Sequence, residues 1–405
     1  MYNVLNTSYI RRHLYVKQTN QLLGEYGTTI FTTMSALAVE FNAINLGQGF
    51  PDSNGPDDIL DEAVRAIKDE SNQYPSMMGI KELRKATAEH SKSFYNIDLD
   101  WESQTIITAG ATEAIASSLF GLINPGDEVI MIEPLYDCYL PMVRRAGGIP
   151  KLVKIAPPNW QLPYEQLEAT FSSKTKLIIL NSPTNPAAKV YKLQELEFIA
   201  ALIKKYDAYA ICDEVYEHLT YDGAKHIPLI TLPGMYERCI RISSAGKTFS
   251  MTGWKIGYSI GAPKLIEAAS KAHQFLTFTA PPNLQHAVAH GLKKEKDYFF
   301  NLGKDMEFKR DLLAKGLEDI GFNVLRSEGT YFLVADYSPL GEFDKDTDLC
   351  KTLIMDAGVG TVPFSAFYQQ DTQSHANTFI RFCYCKENNT LDTAINRLKQ
   401  YFKTG

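Results

Sequence analysis

Short apolar runs alternate with helix-like segments through the middle of this chain, and this alternation limits the possible folds more than any other feature. The runs lie at 105–108, 128–132, 176–180, 209–212, 239–243 and 257–261. Strands that are apolar on both faces are typical of parallel sheets, because the connecting helices cover each side. Helical patterns at 111–122, 193–206 and 263–275 fill the intervals. The sequence therefore predicts an α/β fold built from repeated β-α units.

After about residue 294 the pattern changes, which indicates a second and smaller structural unit. Its predicted segments are a charged helix at 295–318, strands at 331–335 and 379–383, and helices at 346–357 and 390–402. This order is typical of an α+β unit. The length of 405 residues exceeds one comfortable core. We expect an N-terminal arm with part of the small domain at 1–50, a large domain at 51–293 and a small α+β domain at 294–405.

Composition and charge argue against several classes of protein. The net charge of −6 and the pI of about 5.8 predict no broad basic surface, so we expect no nucleic-acid partner. The longest apolar stretches fall far short of the ~20 residues that span a bilayer, and the polar start lacks a secretory signal, so no membrane partner is expected. Six cysteines without a Cys-x-x-Cys pair predict buried free thiols and a reducing, cytoplasmic compartment.

Lys247 lies between small residues and an apolar stretch, in the segment SSAGKTFSMTGWK at 243–255. A poorly solvated lysine can lose its proton near neutral pH, and the neutral amine can then form an imine with an aldehyde. The hydroxyl of Ser244 and the charge of Lys255 would suit a phosphate beside that imine. Because most lysines are solvated surface charges, the weight of this hypothesis depends on the other motifs.

Two further motifs follow predicted strands at their carboxyl ends, where parallel sheets bind ligands. Gly110, Ala111 and Thr112 stand at a strand–helix junction whose N–H groups could bind a phosphate, although an ordinary turn has the same pattern. Asp213 could pair with a protonated pyridine nitrogen, and Tyr216 could donate to a phenolic oxygen nearby. For Asp213 the alternative interpretation is a helix N-cap.

Asn185 and Arg381 are candidates for binding a small ligand. Asn185 lies in NSPTNP, where two prolines hold the loop extended, although a plain turn is also compatible. Arg381 alternates with apolar neighbours on a predicted strand, and a buried guanidinium needs an anion, either a ligand carboxylate or an internal acidic residue. His286 and His290 lack an H-E-x-x-H frame, so no metal site is predicted.

Together these motifs resemble the fold-type I pyridoxal-phosphate aminotransferases of class I, from about residue 26 onward. The similarity is carried by NLGQGFPD (45–52), NQY (72–74), AGATEA (109–114), EPLYDCY (133–139), NSPTNP (181–186), DEVYEH (213–218), SSAGKTFSMTGWKIGY (243–258) and IRFCY (380–384). GTTIF and MSALA near the start are especially similar to the methionine, kynurenine and glutamine aminotransferases. The resemblance implies pyridoxal 5'-phosphate as cofactor, a mostly parallel seven-stranded sheet between helices with a smaller α+β domain, and a homodimer with shared active sites.

The resemblance also implies roles around the cofactor ring, each at a residue that matches the family's motifs. Lys247 would link the cofactor as an imine and, once released, move the proton between Cα and C4′. Asp213 would pair with the ring nitrogen, and both Tyr216 and Asn185 would bind the phenolic oxygen. Tyr136 would stack on the face of the ring.

The same resemblance predicts how the phosphate and the substrate are bound. The phosphate ligands would be Gly110, Ala111, Thr112, Ser244, Lys255 and, from a second subunit, Tyr74. Arg381, Asn185 and the backbone of Gly49 would hold the α-carboxylate of the substrate. Two positions depart from the family: residues 186–188 read PAA where a Thr-Gly or Ser-Gly is frequent, and Lys255 replaces an arginine found in some relatives.

The segment FLTFTAP at 275–281 bears on the substrate, because relatives that act on acidic amino acids carry an arginine in this region. With Phe278 there, we predict an apolar or uncharged pocket for the substrate side chain. The expected reaction is a ping-pong transfer of the amino group from such an L-amino acid, of methionine, aromatic, glutamine or kynurenine type, to a 2-oxo acid.

Two alternatives stay open at this point. A pyridoxal-phosphate β-lyase acting on cysteine S-conjugates would use the same lysine and arginine, and it would release pyruvate and ammonia without a keto-acid acceptor. A non-catalytic ligand sensor with this fold needs a DNA-binding domain ahead of it, for which we expect the short N-terminal arm to leave no room. Loss of cofactor absorbance on addition of an amino acid would distinguish an enzyme from a sensor.

Overall fold

The computed structural model describes residue 17, residues 19–369 and residues 376–404, so the first 16 residues of the expected N-terminal arm lie outside the described residues. The helices are α1 (Gln21–Gly24), α2 (Ile30–Glu40), α3 (Asp57–Asp69), α4 (Lys81–Tyr95), α5 (Trp101–Gln104), α6 (Gly110–Leu122), α7 (Tyr139–Arg145), α8 (Tyr164–Thr170), α9 (Leu193–Lys205), α10 (Ala245–Thr248), α11 (Pro263–Leu276), α12 (Pro282–Leu292), α13 (Lys296–Ile320), α14 (Asp346–Met355) and α15 (Asn388–Thr404). The strands are β1 (Ile44–Asn45), β2 (Thr105–Thr108), β3 (Glu128–Glu133), β4 (Ile149–Lys154), β5 (Thr175–Asn181), β6 (Tyr209–Asp213), β7 (Cys239–Ser244), β8 (Gly257–Gly261), β9 (Asn323–Val324), β10 (Phe332–Asp336), β11 (Val359–Gly360), β12 (Val362–Pro363) and β13 (Phe379–Cys383). Within these ranges no helix is long and apolar enough to cross a membrane.

The large sheet has seven strands in the order β2-β8-β7-β6-β5-β3-β4. Strands β3 to β7 pair in parallel, whereas β8 runs antiparallel to both β2 and β7. A parallel crossover needs a long connection, usually with a full helix, and the connection before β8 contains only the four-residue helix α10 and a 3-10 turn at Thr252–Trp254. The mostly parallel sheet predicted from the sequence is confirmed, with this one reversed strand.

Separate hydrophobic clusters cover the two faces of this sheet. On β5, Ile178 belongs to one cluster and Ile179 to the other, as expected where side chains alternate between faces. The sequence prediction missed β4, an edge strand whose residues are mostly half-exposed. Its sequence IPKLVK places a proline and two lysines at the edge, and these residues protect the sheet from pairing with another chain. They also interrupt the continuous apolar run from which the other strands were predicted.

The C-terminal unit contains a four-stranded antiparallel sheet in the order β12-β13-β10-β9, with α13, α14 and α15 contributing to its hydrophobic cluster. The predicted charged helix extends two residues further, to Ile320, and ends before Gly321, whose φ of 117° gives a left-handed C-cap. Strand β1 pairs in parallel with β11, so residues before 50 also contact this unit. The boundaries at 50/51 and 293/294 stay predictions.

Candidate active site

A cavity of about 330 Å³ lies where β5, β6 and β7 end, since Asn181, Asp213 and Ser244 all line it. The carboxyl edge of a parallel sheet is the usual place for a ligand in α/β folds. Of the residues predicted from the sequence, those that line the cavity are Gly49, Gly110, Ala111, Thr112, Tyr136, Asn185, Asp213, Tyr216, Ser244, Lys247, Lys255 and Arg381. The fold thus gathers in one place side chains that are separated by up to several hundred positions in sequence.

Lys247 lies on the short helix α10 and points into this cavity. Its Nζ is 2.6 Å from the hydroxyl of Tyr331 and 3.4 Å from the carbonyl oxygen of Gly49. Burial lowers the pKa of the amine from its usual range, because the charged form loses hydration. The poor solvation predicted from the sequence is therefore present, and it favours the nucleophilic, neutral amine.

Asp213 lies at the end of β6, lines the cavity and is buried. The hydroxyl of Tyr139 donates to its Oδ2 at 2.5 Å, while Oδ1 has only a long contact of 3.4 Å with the backbone nitrogen of Val215. Burial raises the pKa of this carboxyl, although the bond from Tyr139 opposes the shift. A cationic N–H group in the cavity would find an acceptor in Oδ1 and would favour the ionised carboxylate.

The backbone around Gly110 lines the cavity beside Lys255. Gly110 has a φ of 79°, and a Cβ placed there would lie 3.2 Å from the Nζ of Lys255. A Cβ on Gly257 would come within 2.6 Å of the Gly110 carbonyl carbon, so both positions require glycine. Helix α6 begins here and directs its first N–H groups and its positive dipole end at this space.

Arg381 on β13 is buried, and one of its three guanidinium nitrogens has no hydrogen-bond partner among the described residues. Its Nη1 donates to Oδ1 of Asn185 at 2.8 Å, and its Nη2 donates to the carbonyl of Gly47 at 2.7 Å. The remaining nitrogen is Nε, and the guanidinium lies 3.9 Å from the ring centroid of Phe332. Burial lowers the pKa of Arg381 to about 10. An unpaired, desolvated guanidinium favours a ligand carboxylate over the internal acidic partner that the sequence left open.

A buried ionic network involves Glu214 and Glu217, which follow Asp213 in the chain and do not line the cavity. Arg241 of β7 donates to Glu214 and to Glu217, each at 2.5 Å, and Ser243 also donates to Glu217. Burial opposes ionisation of Glu217, but Arg241 lowers the pKa of this carboxyl well below its usual range. Since Asp213 lines the cavity and its neighbour Glu214 is held by Arg241, this network positions the 213–217 segment.

One group of metal-ligating side chains adjoins this network: His90, Glu217 and His218. The Nε2 atoms of His90 and His218 are 2.9 Å apart, which is a hydrogen-bond distance. Both carboxylate oxygens of Glu217 already accept hydrogen bonds, from Arg241 and Ser243. Burial lowers the pKa of His218 to about 3, so the pair is neutral and hydrogen-bonded. We therefore assign this group to the ionic network rather than to a metal.

Tyr74 and Phe278 do not line the cavity of their own chain. Their rings pack edge to face at a centroid distance of 5.5 Å, and Tyr74 is 84% exposed. Phe275, three positions before Phe278 in the chain, is 85% exposed. Large aromatic side chains that are exposed to solvent near one another are typical of an interaction surface. Their predicted roles in binding phosphate and substrate therefore require a second subunit.

Sequence reasoning missed three residues that support the site: Tyr139, Tyr331 and Arg241. Tyr139 stands inside the matched segment EPLYDCY, so its position next to the cavity could have been anticipated. Tyr331 looks like any aromatic residue of a predicted strand, and Arg241 is a single charge within an otherwise apolar run. Only their tertiary contacts distinguish them from ordinary core or surface residues.

Comparison with known proteins gives the family. The model of the aminotransferase class I and II family matches residues 42–398. The chain is 37% identical to the methionine aminotransferase of Escherichia coli, over 93% of this chain and 97% of that one, and 38% identical to human kynurenine–oxoglutarate transaminase 3, over 92% and 88%. The solved structure of N-succinyldiaminopimelate aminotransferase from Mycobacterium tuberculosis superimposes with a TM-score of 0.91 at 43% identity, covering 95% of this chain and 100% of that one.

This chain belongs to the class I and II aminotransferase family. It is a class I, pyridoxal-phosphate-dependent aminotransferase with the fold-type I architecture, as the resemblance predicted. The residues of the cavity fit this cofactor: for the phosphate a glycine cradle beside Lys255, for the ring nitrogen a buried carboxylate whose Oδ1 has only one long contact, and for the aldehyde a poorly solvated lysine. The roles of the individual residues stay predictions.

Proposed function

We propose that this enzyme moves the amino group of an apolar or uncharged L-amino acid, of methionine, aromatic, glutamine or kynurenine type, to a 2-oxo acid. The observation that carries the proposal is the distribution of charge around the cavity. Among the described residues that line it, the cationic side chains are Lys247, Lys255 and Arg381. Each is already needed, for the aldehyde, the phosphate and the α-carboxylate, so none remains for an acidic substrate side chain.

Other residues that line the cavity also suit an uncharged side chain. Phe31, Phe50 and Phe332 line it together with the uncharged Gln48. Apolar walls with few polar groups are typical of pockets that bind a side chain by burial of its surface. In a dimer, Phe278 of the neighbouring subunit would add a further apolar wall.

Within this proposal the protein's residues have distinct tasks. When bound, pyridoxal phosphate supplies a ring that accepts the electron pair left by a broken Cα–H bond. Asp213 stabilises a positive charge on the ring nitrogen. Arg381 and Asn185 orient the α-carboxylate, and this orientation directs the Cα–H bond toward Lys247. The neutral Nζ of Lys247 takes up the proton and returns it, as a general base and then a general acid.

A donor screen tests the substrate class. Purified enzyme loaded with pyridoxal phosphate is assayed with methionine, phenylalanine, glutamine, kynurenine, aspartate and N-succinyldiaminopimelate. We expect kcat/KM for the best uncharged donor to exceed that for aspartate by at least about 100-fold, because a buried carboxylate without a partner costs roughly 3 kcal/mol or more. A preference for aspartate or for N-succinyldiaminopimelate would contradict the proposal. Pyruvate released from a cysteine S-conjugate without an acceptor would indicate the β-lyase instead.

We also propose a homodimer whose subunits complete each other's sites through Tyr74. The support is the position of Tyr74, which is exposed and packs on Phe278 away from its own cavity. A hybrid experiment tests this arrangement. Tyr74→Ala and Lys247→Ala subunits are unfolded, mixed in equal amounts and refolded, then assayed at limiting cofactor. If Tyr74 acts across the interface, about a quarter of all sites regain both residues.

The two variants refolded separately are the controls for the hybrid experiment. Neither has a site with both Lys247 and Tyr74 in the proposed arrangement, so each should have low activity at limiting cofactor. A mixture no more active than the average of the separate variants would contradict a shared site. Activity in a protein that sedimentation shows to be a monomer would contradict the dimer itself.

We propose a cytoplasmic location on the state of the cysteines. The six cysteines are free thiols in the structure, and all but Cys138 are buried. Chains exported to oxidising compartments usually use their cysteines in disulfides. Fractionation of the source cells followed by an activity assay would test the location, and activity confined to an exported fraction would contradict it.

A further inference from the structure

Tyr331 contacts three parts of the active site through its hydroxyl and its ring. Its hydroxyl donates a hydrogen bond to the carbonyl of Gly49 at 2.6 Å and lies 2.6 Å from the Nζ of Lys247. Its ring also packs edge to face against the ring of Tyr216, at a centroid distance of 5.1 Å. Tyr331 is buried and does not line the cavity, so it reaches the reacting groups only through these neighbours.

The chemistry of a phenol determines what the contact with Lys247 can be. A phenol has one hydrogen, and the hydrogen of Tyr331 is directed at Gly49, whose carbonyl oxygen can only accept. The phenolic oxygen must therefore accept a hydrogen bond from Lys247. Consequently the neutral amine is held through an N–H bond, and its lone pair stays free to take a proton.

Gly49 cannot be replaced easily in this arrangement. A Cβ at this position would lie 2.7 Å from Cε2 of Tyr331 and 2.6 Å from Cζ of Phe332. The backbone of Gly49 therefore contacts the aromatic rings directly, and the same segment holds Arg381 through the carbonyl of Gly47. Arg381 is therefore linked to the amine of Lys247 through the backbone of residues 47–49 and the hydroxyl of Tyr331.

We propose that Tyr331 is a positioning residue that holds the free amine of Lys247 with its lone pair directed away from the phenol and available to the substrate Cα–H. This inference rests on the proposed role of Lys247. It explains why the phenol is placed between Lys247 and Gly49, since packing alone would be satisfied by a phenylalanine. Holding the base in place avoids the loss of rate that follows even a small displacement of a reacting group.

The variant Tyr331→Phe removes the hydroxyl and keeps the ring that packs on Tyr216 and Phe332. We expect kcat to fall about 10–100-fold with little change in KM, because Arg381 still binds the carboxylate. The kinetic isotope effect with an α-deuterated donor should rise, since proton transfer becomes more rate-limiting. Independently of activity, cofactor-free protein should form its borohydride-reducible link with pyridoxal phosphate about 10-fold more slowly.

Tyr384→Phe is the matched control. Tyr384 is equally buried and its hydroxyl bonds to the carbonyl of Thr330 and to Ser327, but it does not contact Lys247. It should keep wild-type linking rates and isotope effects. Equal losses of kcat and of linking rate in both variants would mean that Tyr331 only contributes to packing. Wild-type kcat and linking rate in Tyr331→Phe would also overturn the inference.

Mass analysis of the borohydride-reduced peptide separates this inference from the proposed function. If the cofactor is attached to Lys247 and Tyr331→Phe behaves as wild type, only the role of Tyr331 is overturned. If the cofactor is attached to another lysine, the proposed function fails whatever Tyr331 does. Attachment to Lys247 together with slower linking in Tyr331→Phe supports both.

Discussion

Replacing Lys247 with alanine is expected to lower transamination by roughly 10⁴-fold or more, because the general base and the covalent anchor are lost together. The cofactor should still bind, since Asp213 and the Gly110 cradle remain, but without a borohydride-reducible link to the protein. Initial rates with the best donor from the screen measure the first effect. Absorbance and mass of the reduced protein measure the second.

Lys271→Ala provides the control for this substitution. Lys271 lies on α11 with its side chain 71% exposed, and it pairs with Glu267 at the surface. Exposed pairs of this kind contribute about 0–1 kcal/mol to stability, so activity and cofactor linkage should stay at wild-type levels. Transamination retained in Lys247→Ala at more than a few per cent would contradict the assignment of the base.

Replacing Arg241 with methionine is expected to destabilise the protein by about 3–5 kcal/mol, because the variant leaves Glu214 and Glu217 buried without their cationic partner. The midpoint of urea unfolding measures the change, and cofactor-free protein avoids stabilisation by bound ligand. Cofactor affinity should fall as well, because the segment that carries Asp213 loses its support from β7.

Arg238→Met is the matched control, three positions away on the same segment. Arg238 pairs with Asp207, whose side chain is 88% exposed, so its loss should cost less than about 1 kcal/mol. Adding Glu214→Gln and Glu217→Gln to the Arg241 variant should restore part of the lost stability, because uncharged side chains need no cation. Equal midpoints for the Arg241 and Arg238 variants would contradict the proposed importance of the buried network.

Most of the large sheet was predictable because its strands are buried on both faces. The residues of β2 and β8 coincide with the predicted runs, and β3, β5, β6 and β7 extend them by one or two residues. Strand β4 was missed, since an edge strand needs no apolar run. The reversed direction of β8 was not visible either, because strand direction depends on the length and path of the connection rather than on the composition of the strand.

The sequence by itself supplied the candidates for the chemistry, because Lys247 is a lysine among small residues, Asp213 an acid at a strand end and Arg381 an arginine on an apolar strand. Tertiary structure alone decided which residues support them. Tyr331 reaches Lys247 across 84 positions and Tyr139 reaches Asp213 across 74, and nothing local to either tyrosine records that contact. It also decided that Tyr74 and Phe278 lie apart from the cavity of their own chain. A hydrogen bond between distant residues depends on the path of the whole backbone. The apolar content and periodicity of a segment can be read from that segment alone.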